Sequence, residues 1–180
     1  MKKILCIATI LFVLLSCMSP AGAKSPASSV GIVLIGKAEF KTPDYYNITK
    51  GEIRPRSGAK CEIGSRVQSQ YAAYWLNKGH VEEQMPSRQD LIDFAAESGY
   101  GKVLFLVVSD STIDVHRNAK RREKDRISVQ VNGYLATGTS VLQIYTAAHD
   151  EDSKTSNLRA RRGAFRKCVD EIGEAMNPVM

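Results

Sequence analysis

Serine, aspartate and histidine side chains that could support catalysis or metal binding fall in two segments of this chain. One follows a strongly apolar run of residues, and the other opens a short acidic turn near residue 150. A serine near a histidine suits hydrolysis, and an imidazole beside carboxylates suits zinc or manganese. One hypothesis is therefore a small hydrolase or metal-dependent enzyme. Its candidate residues are Ser109, Asp110, Asp114, His116 and His149.

The spacing of these residues does not match a catalytic or metal-binding motif. No histidine pair has the i, i+4 spacing that holds a metal on one helix, and Gly-x-Ser-x-Gly is absent. The segment from Gly31 to Ala38 has the glycine and lysine spacing of a phosphate loop. However, its central residues are apolar, and Ala38 lacks the hydroxyl that would bind magnesium. We therefore predict no catalytic residue, no metal ligand and no cofactor.

Two other segments have the composition of a binding surface. Tyr45 and Tyr46 lie in a stretch interrupted by prolines and glycines, and exposed tyrosines are frequent in interfaces. They could equally fold onto the edge of a sheet. A basic hairpin between two predicted strands is either a solvated tip or a contact for an anionic surface. Its basic residues are Arg117, Lys120, Arg121, Arg122, Lys124 and Arg126.

Residues 1–23 have the pattern of a signal peptide. Two lysines precede an apolar run, and Ala21-Gly22-Ala23 provides the small residues that signal peptidase requires. The apolar run is shorter than the roughly 20 residues that span a bilayer, so no transmembrane helix is expected in the mature chain. Cleavage after Ala23 lowers the formal charge from +6 to +4. We expect an exported protein, secreted or periplasmic, that does not bind nucleic acid.

A second cleavage site would change how the protein is held in the cell. Leu14-Leu15-Ser16-Cys17 is a passable lipoprotein signal, and its use would leave a lipid on Cys17. Residues 24–29 form a small polar linker in either case. The sequence leaves the soluble and the lipid-anchored form as alternatives.

Two cysteines remain after the signal segment. Cys61 and Cys168 would close a loop of more than one hundred residues if they were bridged, and exported proteins often carry such bridges. The alternative is two buried thiols that pack as small apolar side chains. The pair is thus a candidate disulfide.

Residues 30–180 form one domain that alternates strands and helices. Lys102 to Ser109 is apolar at every position except its ends, as in a strand that is buried on both faces. The pattern predicts a three-layer α/β (α+β) fold with a central mixed sheet of four to five strands and three helices in the order β-α-α-β-β-β-α. The predicted segments are strands at 30–35, 102–109, 127–135 and 141–145, and helices at 57–77, from 87 to about 98 and at 158–176. Residues 37–56 are predicted to be irregular.

This order of elements resembles the envelope α/β domain of three groups of bacterial proteins. They are the lipoproteins that activate penicillin-binding proteins, the curli secretion lipoprotein, and the amino-terminal domain of TolB. The similarity covers residues 30–176 and lies in the order of elements, the buried Lys102–Ser109 strand and the closing helix. It implies a partner that is another envelope protein. No motif matches residue by residue, so it implies no site residues.

The sequence therefore predicts an exported, non-catalytic domain that binds another component of the cell envelope. The component would be a protein, or an anionic polymer or lipid surface. The hydrolase or metal-dependent enzyme is the alternative.

Overall fold

The described residues of this protein form a central mixed sheet of five strands. A computed structural model describes residues 29–81, 84–113, 126–152 and 156–180. The strands lie side by side in the order β2-β1-β3-β4-β5. β1 pairs in parallel with β2 and β3, whereas β3, β4 and β5 form an antiparallel meander. Their bounds are β1 Ser29–Ile35, β2 Lys60–Ile63, β3 Lys102–Ile113, β4 Arg126–Ala136 and β5 Val141–Asp152.

Helices cover both faces of this sheet. On one face lie two helices that share a core with β1, β3, β4 and β5, and on the other face two helices pack mainly against β1 and β3. The arrangement confirms the predicted three-layer α/β fold. The helices are α1 Pro43–Glu52 and α4 Asn157–Met176 on the first face, and α2 Ser65–Asn77 and α3 Arg88–Glu97 on the second.

β3 joins the two cores because it is apolar on both sides. Leu104 and Leu106 are fully buried against the α1/α4 side, while Val103 and Phe105 are fully buried against the α2/α3 side. Alternation of side chains along a strand requires such a sequence when both faces are covered. Burial of each of these side chains stabilises the fold by about 1.5–3 kcal/mol relative to exposure.

The predicted helix boundaries are confirmed where capping residues mark them. Ser87 caps α3: its hydroxyl accepts a hydrogen bond from the Asp90 amide, and the Asp90 carboxylate accepts one from the Ser87 amide at 2.9 Å. This reciprocal pair is a capping box. α2 is followed by Gly79, whose φ of +77° suits glycine.

Two predictions of local structure were wrong. The segment predicted to be irregular, 37–56, contains a short 3₁₀ helix, Ala38–Phe40, and α1. Pro43 does not interrupt α1 because it is the first helical residue, where no amide hydrogen is needed. The helix predicted from Ser57 begins at Ser65, because residues 60–63 form the edge strand β2.

The candidate disulfide is also absent, since Cys61 and Cys168 are both free. Cys61 lies on β2, whereas the Cys168 thiol donates a hydrogen bond to the Val129 carbonyl on β4 at 3.3 Å. β1 and β3 lie between those strands, so the separation across the sheet alone is about three strand spacings, or roughly 14 Å. Val129 also lies farther along the strands than Cys61, because it pairs with Asp110 whereas Cys61 is level with Lys102. A disulfide requires Cα atoms within about 7 Å.

No helix within the described ranges is both long enough and apolar enough to cross a membrane.

Candidate binding surfaces

The first predicted surface residue, Tyr45, lies in the core instead. Its side chain is 1% exposed, and its ring contacts those of Phe40 and Phe165 with edge-to-face geometry at 5.0 Å between centroids. Burial raises the pKa of its hydroxyl, although Arg161 and Arg162 oppose the rise. Tyr45 therefore anchors α1 to α4 and offers no contact to a partner.

Its neighbour Tyr46 is half-buried and packs against the same core. Of the predicted basic hairpin, Arg126 is described: its Nε lies 3.4 Å from the Asp152 carboxylate on the neighbouring strand. Both side chains are half exposed, so this pair adds little stability. The other predicted hairpin residues lie outside the described residues, and their role stays a prediction. They are Arg117, Lys120, Arg121, Arg122 and Lys124.

Most basic side chains of α4 are paired with acidic side chains from other elements. The basic outer face that the sequence indicates is therefore largely neutralised. Sequence reasoning could not find these pairs because the partners lie up to 122 residues apart. The pairs are Arg161 with Glu39 and Asp110, Arg162 with Asp44, Arg166 with Glu52, and Lys167 with Glu151.

Asp110 is the most deeply buried of these carboxylates. Its side chain is 4% exposed and lies 2.8 Å from Lys37 Nζ and 2.8 Å from Arg161 Nε. Glu39 extends the network, because its carboxylate lies 2.6 Å from Arg161. This network of two basic and two acidic side chains thus links the segment after β1 and the second half of β3 to α4.

The three described residues of the enzyme hypothesis, Ser109, Asp110 and His149, are not assembled into one site. Ser109 is exposed on the α2/α3 side of the sheet, whereas Asp110 points to the α1/α4 side, as alternation along a strand requires. His149 lies on β5 and contacts Glu171 of α4 at 2.8 Å. Asp114 and His116 lie outside the described residues. Within the described part of the chain no three metal-ligating side chains form a cluster.

Glu171 accepts two hydrogen-bond partners at the junction of β5 and α4. The Tyr145 hydroxyl donates to one carboxylate oxygen at 2.8 Å, and His149 Nε2 lies 2.8 Å from the other. The Tyr145 bond, followed by that of His149, lowers the pKa of Glu171. The same bond raises the pKa of Tyr145. Burial raises the pKa of the nearby Cys168 thiol to about 11, so this thiol is not an activated nucleophile.

The antiparallel meander extends beyond the helices of the α2/α3 side. β1 ends opposite Val107, and the β3–β5 residues farther along that face are polar or small. Thr146 donates a hydrogen bond to Asn132 across the strands at 2.8 Å, which shows that both point to this face. In the described part of the chain this sheet area has no helix packed on it. Its residues include Ser109, Ser111, Gln130, Asn132, Thr146, Ala148 and Asp150.

β5 forms the outer border of this area. It is the last strand of the sheet, and its outer edge pairs with no strand among the described residues. Residues 141–148 carry no charge, and two large apolar side chains here are exposed, Leu142 at 46% and Ile144 at 56%. We call residues 141–148 the edge-strand surface. The sequence indicated a strand here, but it did not show that the strand lies at an edge.

Comparisons with known proteins assign this chain to no family. No protein-family model and no curated protein matches this chain. Several solved structures match most of its length, and among them are three bacterial lipoproteins. A minor lipoprotein from Acinetobacter baumannii has 11% identity and a TM-score of 0.31, and covers 84% of this chain and 91% of its own. The lipoprotein GNA1162 from Neisseria meningitidis has 14% identity and a TM-score of 0.46, over 83% and 98%. Rare lipoprotein B from Shewanella oneidensis has 8% identity and a TM-score of 0.34, over 82% and 89%.

Proposed function

We propose that this protein is an exported, non-catalytic domain that binds another protein of the cell envelope through the edge-strand surface. The observation that carries the proposal is an uncharged strand edge of eight residues with Leu142 and Ile144 exposed beside it. Soluble proteins usually protect such edges with charges, prolines or bulges, because an open edge pairs with other chains. β5 has a bulge at Leu142, but residues 143–148 contain neither a charge nor a proline.

The charges of β5 are placed where they leave this edge open. Asp150, Glu151 and Asp152 cluster at the far end of the strand. Two of them are engaged with basic groups, Glu151 with Lys167 and Asp152 with Arg126. The uncharged part of β5, residues 141–148, can add a partner strand through backbone hydrogen bonds, with side-chain contacts at alternate positions.

Export rests on the signal-peptide pattern of residues 1–23, and the lipid-anchored form on Cys17. Either form would place the edge-strand surface outside the cytoplasm. Because the surface would then face the cell envelope, its partner is expected to be an envelope protein. The basic hairpin around residues 117–126 would add contacts if that partner is anionic.

The test is quantitative capture from envelope extracts of the native host. The mature protein and its Ile144→Lys variant would each be used as bait, and bound proteins would be compared by mass spectrometry. A lysine there places a charge on the strand edge and should lower capture of the true partner tenfold or more, about 1.4 kcal/mol. Leu158→Lys, at an apolar residue of α4 that is 47% exposed, is the matched control and should capture normally.

Equal capture by the wild type and Ile144→Lys would contradict this proposal. Sedimentation of the purified protein answers a second question. Self-association that Ile144→Lys abolishes would identify the partner strand as that of a second copy.

A further inference from the structure

A groove lies between α1 and α4, on the opposite side of the sheet from α2 and α3. Its volume is about 480 Å³, within the range of small-molecule sites. One wall presents three arginines of α4, and the other presents two carboxylates of α1. We call it the α1/α4 groove; it is lined by Asp44, Asn47, Ile48, Gly51, Glu52, Arg159, Arg162, Gly163 and Arg166.

The arginines of this groove are only partly engaged. Arg162 forms an ion pair with Asp44, but its Nε is buried and donates no hydrogen bond. Arg166 approaches Glu52 at 3.4 Å, longer than a strong charged hydrogen bond. Arg159 has no carboxylate partner among the described residues. The groove walls therefore carry three positive and two negative charges, with one guanidinium free.

The position of these arginines is unfavourable for the helix itself. Arg159 and Arg162 lie in the first two turns of α4, where the aligned peptide dipoles already give a positive potential, and no acidic residue of α4 lies in the first turn. A cation there is unfavourable for the helix. Sequences that break a local rule without compensation often do so at a functional site. An anion bound at Arg159 would supply the missing negative charge.

Two glycines line the groove, and Gly51 leaves the α1 wall without a side chain. Gly51 lies on the α1 wall with a negative φ, and a Cβ added there would meet no atom within 4 Å. Gly51 is the penultimate residue of α1, and the absence of a side chain there leaves this part of the groove unfilled. Gly163 lies on the α4 wall, where an added Cβ would touch the Glu151 side chain at 3.4 Å.

We propose that the α1/α4 groove binds a small peptide-like ligand that carries carboxylates and an ammonium group. Carboxylates match the flat guanidinium fork of arginine, and Asp44 and Glu52 can accept hydrogen bonds from an ammonium or amide group. A ligand with two carboxylates and one ammonium has a net charge of −1, which complements the walls. This site lies apart from the edge-strand surface, so neither proposal depends on the other.

The probe is the dipeptide L-alanyl-L-glutamate, and the measurement is NMR titration of the mature protein at low salt. We expect saturable shifts of groove residues with a Kd of about 1 mM or tighter, weakened by added salt. L-alanyl-L-glutamine amide, which lacks both carboxylates, should bind at least tenfold more weakly. No saturable shift with alanyl-glutamate, or equal binding of the amide, would overturn the proposal.

Variants test the location of the site. Arg159→Gln should weaken binding about tenfold without unfolding, because Arg159 is exposed and its charge is unfavourable for α4. Arg88→Gln, on the opposite side of the sheet, makes the same charge change and should bind as wild type. Gly51→Leu should fill the groove and weaken binding while it stabilises α1. Equal effects of Arg159→Gln and Arg88→Gln would assign the binding to net charge and reject the site.

A lipid headgroup would present a phosphodiester and an ammonium in place of the peptide groups. Vesicles of phosphatidylethanolamine with phosphatidylglycerol are therefore the second arm. Sedimentation with vesicles that Arg159→Gln abolishes, combined with no alanyl-glutamate binding, would reject the peptide-like ligand in favour of a membrane surface.

Discussion

Single side chains determine how the closing helix is fixed to the sheet. Asp110 is nearly inaccessible, and it holds Lys37 and Arg161 at 2.8 Å on either side. Arg161 is itself mostly buried, with 20% of its side chain exposed. A buried charge that loses its partner is costly, because it can neither hydrogen-bond to water nor move away.

Replacement of this carboxylate should therefore be strongly destabilising. We expect Asp110→Asn to lower the free energy of unfolding by about 2 kcal/mol, because Arg161 keeps its burial but loses one of its two anions. Urea denaturation measures the change. Asp150→Asn, on the exposed face of β5, is the control and should change stability by less than about 0.5 kcal/mol. A similar loss in both variants would show that the network around Asp110 is not special.

Glu171 should make the stability of the protein depend on pH. Its pKa in the folded state lies below the ordinary value of 4.5, owing first to the Tyr145 hydrogen bond and then to His149. A lowered folded pKa contributes stability that is present above pH 4.5 and is lost as the pH falls through the folded pKa. The stability difference between wild type and Glu171→Gln should thus be larger at pH 7 than at pH 3. Urea denaturation of both proteins from pH 3 to pH 7 measures this difference. If it did not increase with pH, Glu171 would not form these hydrogen bonds in solution.

Both thiols should be unreactive in the native protein. Cys168 is fully buried, and burial raises the pKa of each thiol to about 11. A thiol reagent should label Cys168 only after unfolding, and a reducing agent should leave the unfolding midpoint unchanged. Intact-mass analysis of the mature protein gives the number of free thiols directly. A mass two daltons lower that reduction restores would contradict the free pair.

At the scale of elements, the turn after β1 is the most constrained junction. Gly36 has a φ of +146°, and a Cβ added there would lie 2.5 Å from the Val108 carbonyl oxygen on β3. Gly58 also has a positive φ, +73°, but an added Cβ would meet no atom within 4 Å. Substitution of these two glycines by alanine therefore compares the stability lost through backbone conformation alone with the stability lost when a steric clash is added.

Alanine at the two positions should therefore have unequal effects. Gly58→Ala should cost about 1 kcal/mol, for the left-handed backbone alone. Gly36→Ala should cost about 3 kcal/mol or more, because the clash with a strand backbone adds to the strain and cannot be relieved by rotating a side chain. Denaturant unfolding of both variants tests the difference. Equal costs would mean that β3 moves away from β1 without penalty.

Sequence periodicity predicted the elements that bury one continuous face. α3, α4, β4 and β5 follow that rule, whereas β1 and β3 were predicted from uninterrupted apolar runs that are buried on both faces. α1 was missed because one of its few fully buried residues is a threonine, Thr49, whose hydroxyl is satisfied by the Tyr45 carbonyl at 2.8 Å. β2 was missed because it has only four residues and none of them is fully buried.

The candidate sites were harder to predict than the fold, because they depend on contacts between distant residues. From the sequence alone Tyr45 is a candidate for an exposed binding residue. In the structure the ring of Phe165, which is 120 residues farther along the chain, packs on it. In the sequence the arginines of α4 form a basic helix face. In the structure they form ion pairs with acidic side chains of α1 and the 3₁₀ helix. Charge complementarity at such separations has no periodic signal in a single sequence.

At the scale of the whole molecule, one sheet serves two cores. The α1/α4 core contains Phe165, and the α2/α3 core contains Phe94 and the single tryptophan, Trp75. Both cores pack on alternate residues of β3. Unfolding of either helical layer would therefore expose apolar residues of β3, the strand on which the other layer also packs.

The protein should consequently unfold in one cooperative transition. A destabilising substitution in either core should therefore lower the unfolding midpoint of both cores. Phe165→Ala and Phe94→Ala should each lower the free energy of unfolding by about 3–5 kcal/mol, since both phenylalanines are almost fully buried. Trp75 reports only on the α2/α3 core, whereas far-UV circular dichroism reports on all elements. If the fold is one unit, Phe165→Ala shifts the Trp75 fluorescence midpoint as much as the dichroism midpoint, although Phe165 lies across the sheet. If the Trp75 midpoint stayed unchanged in Phe165→Ala while Phe94→Ala shifted it, the two layers would be separate folding units joined only by a shared strand.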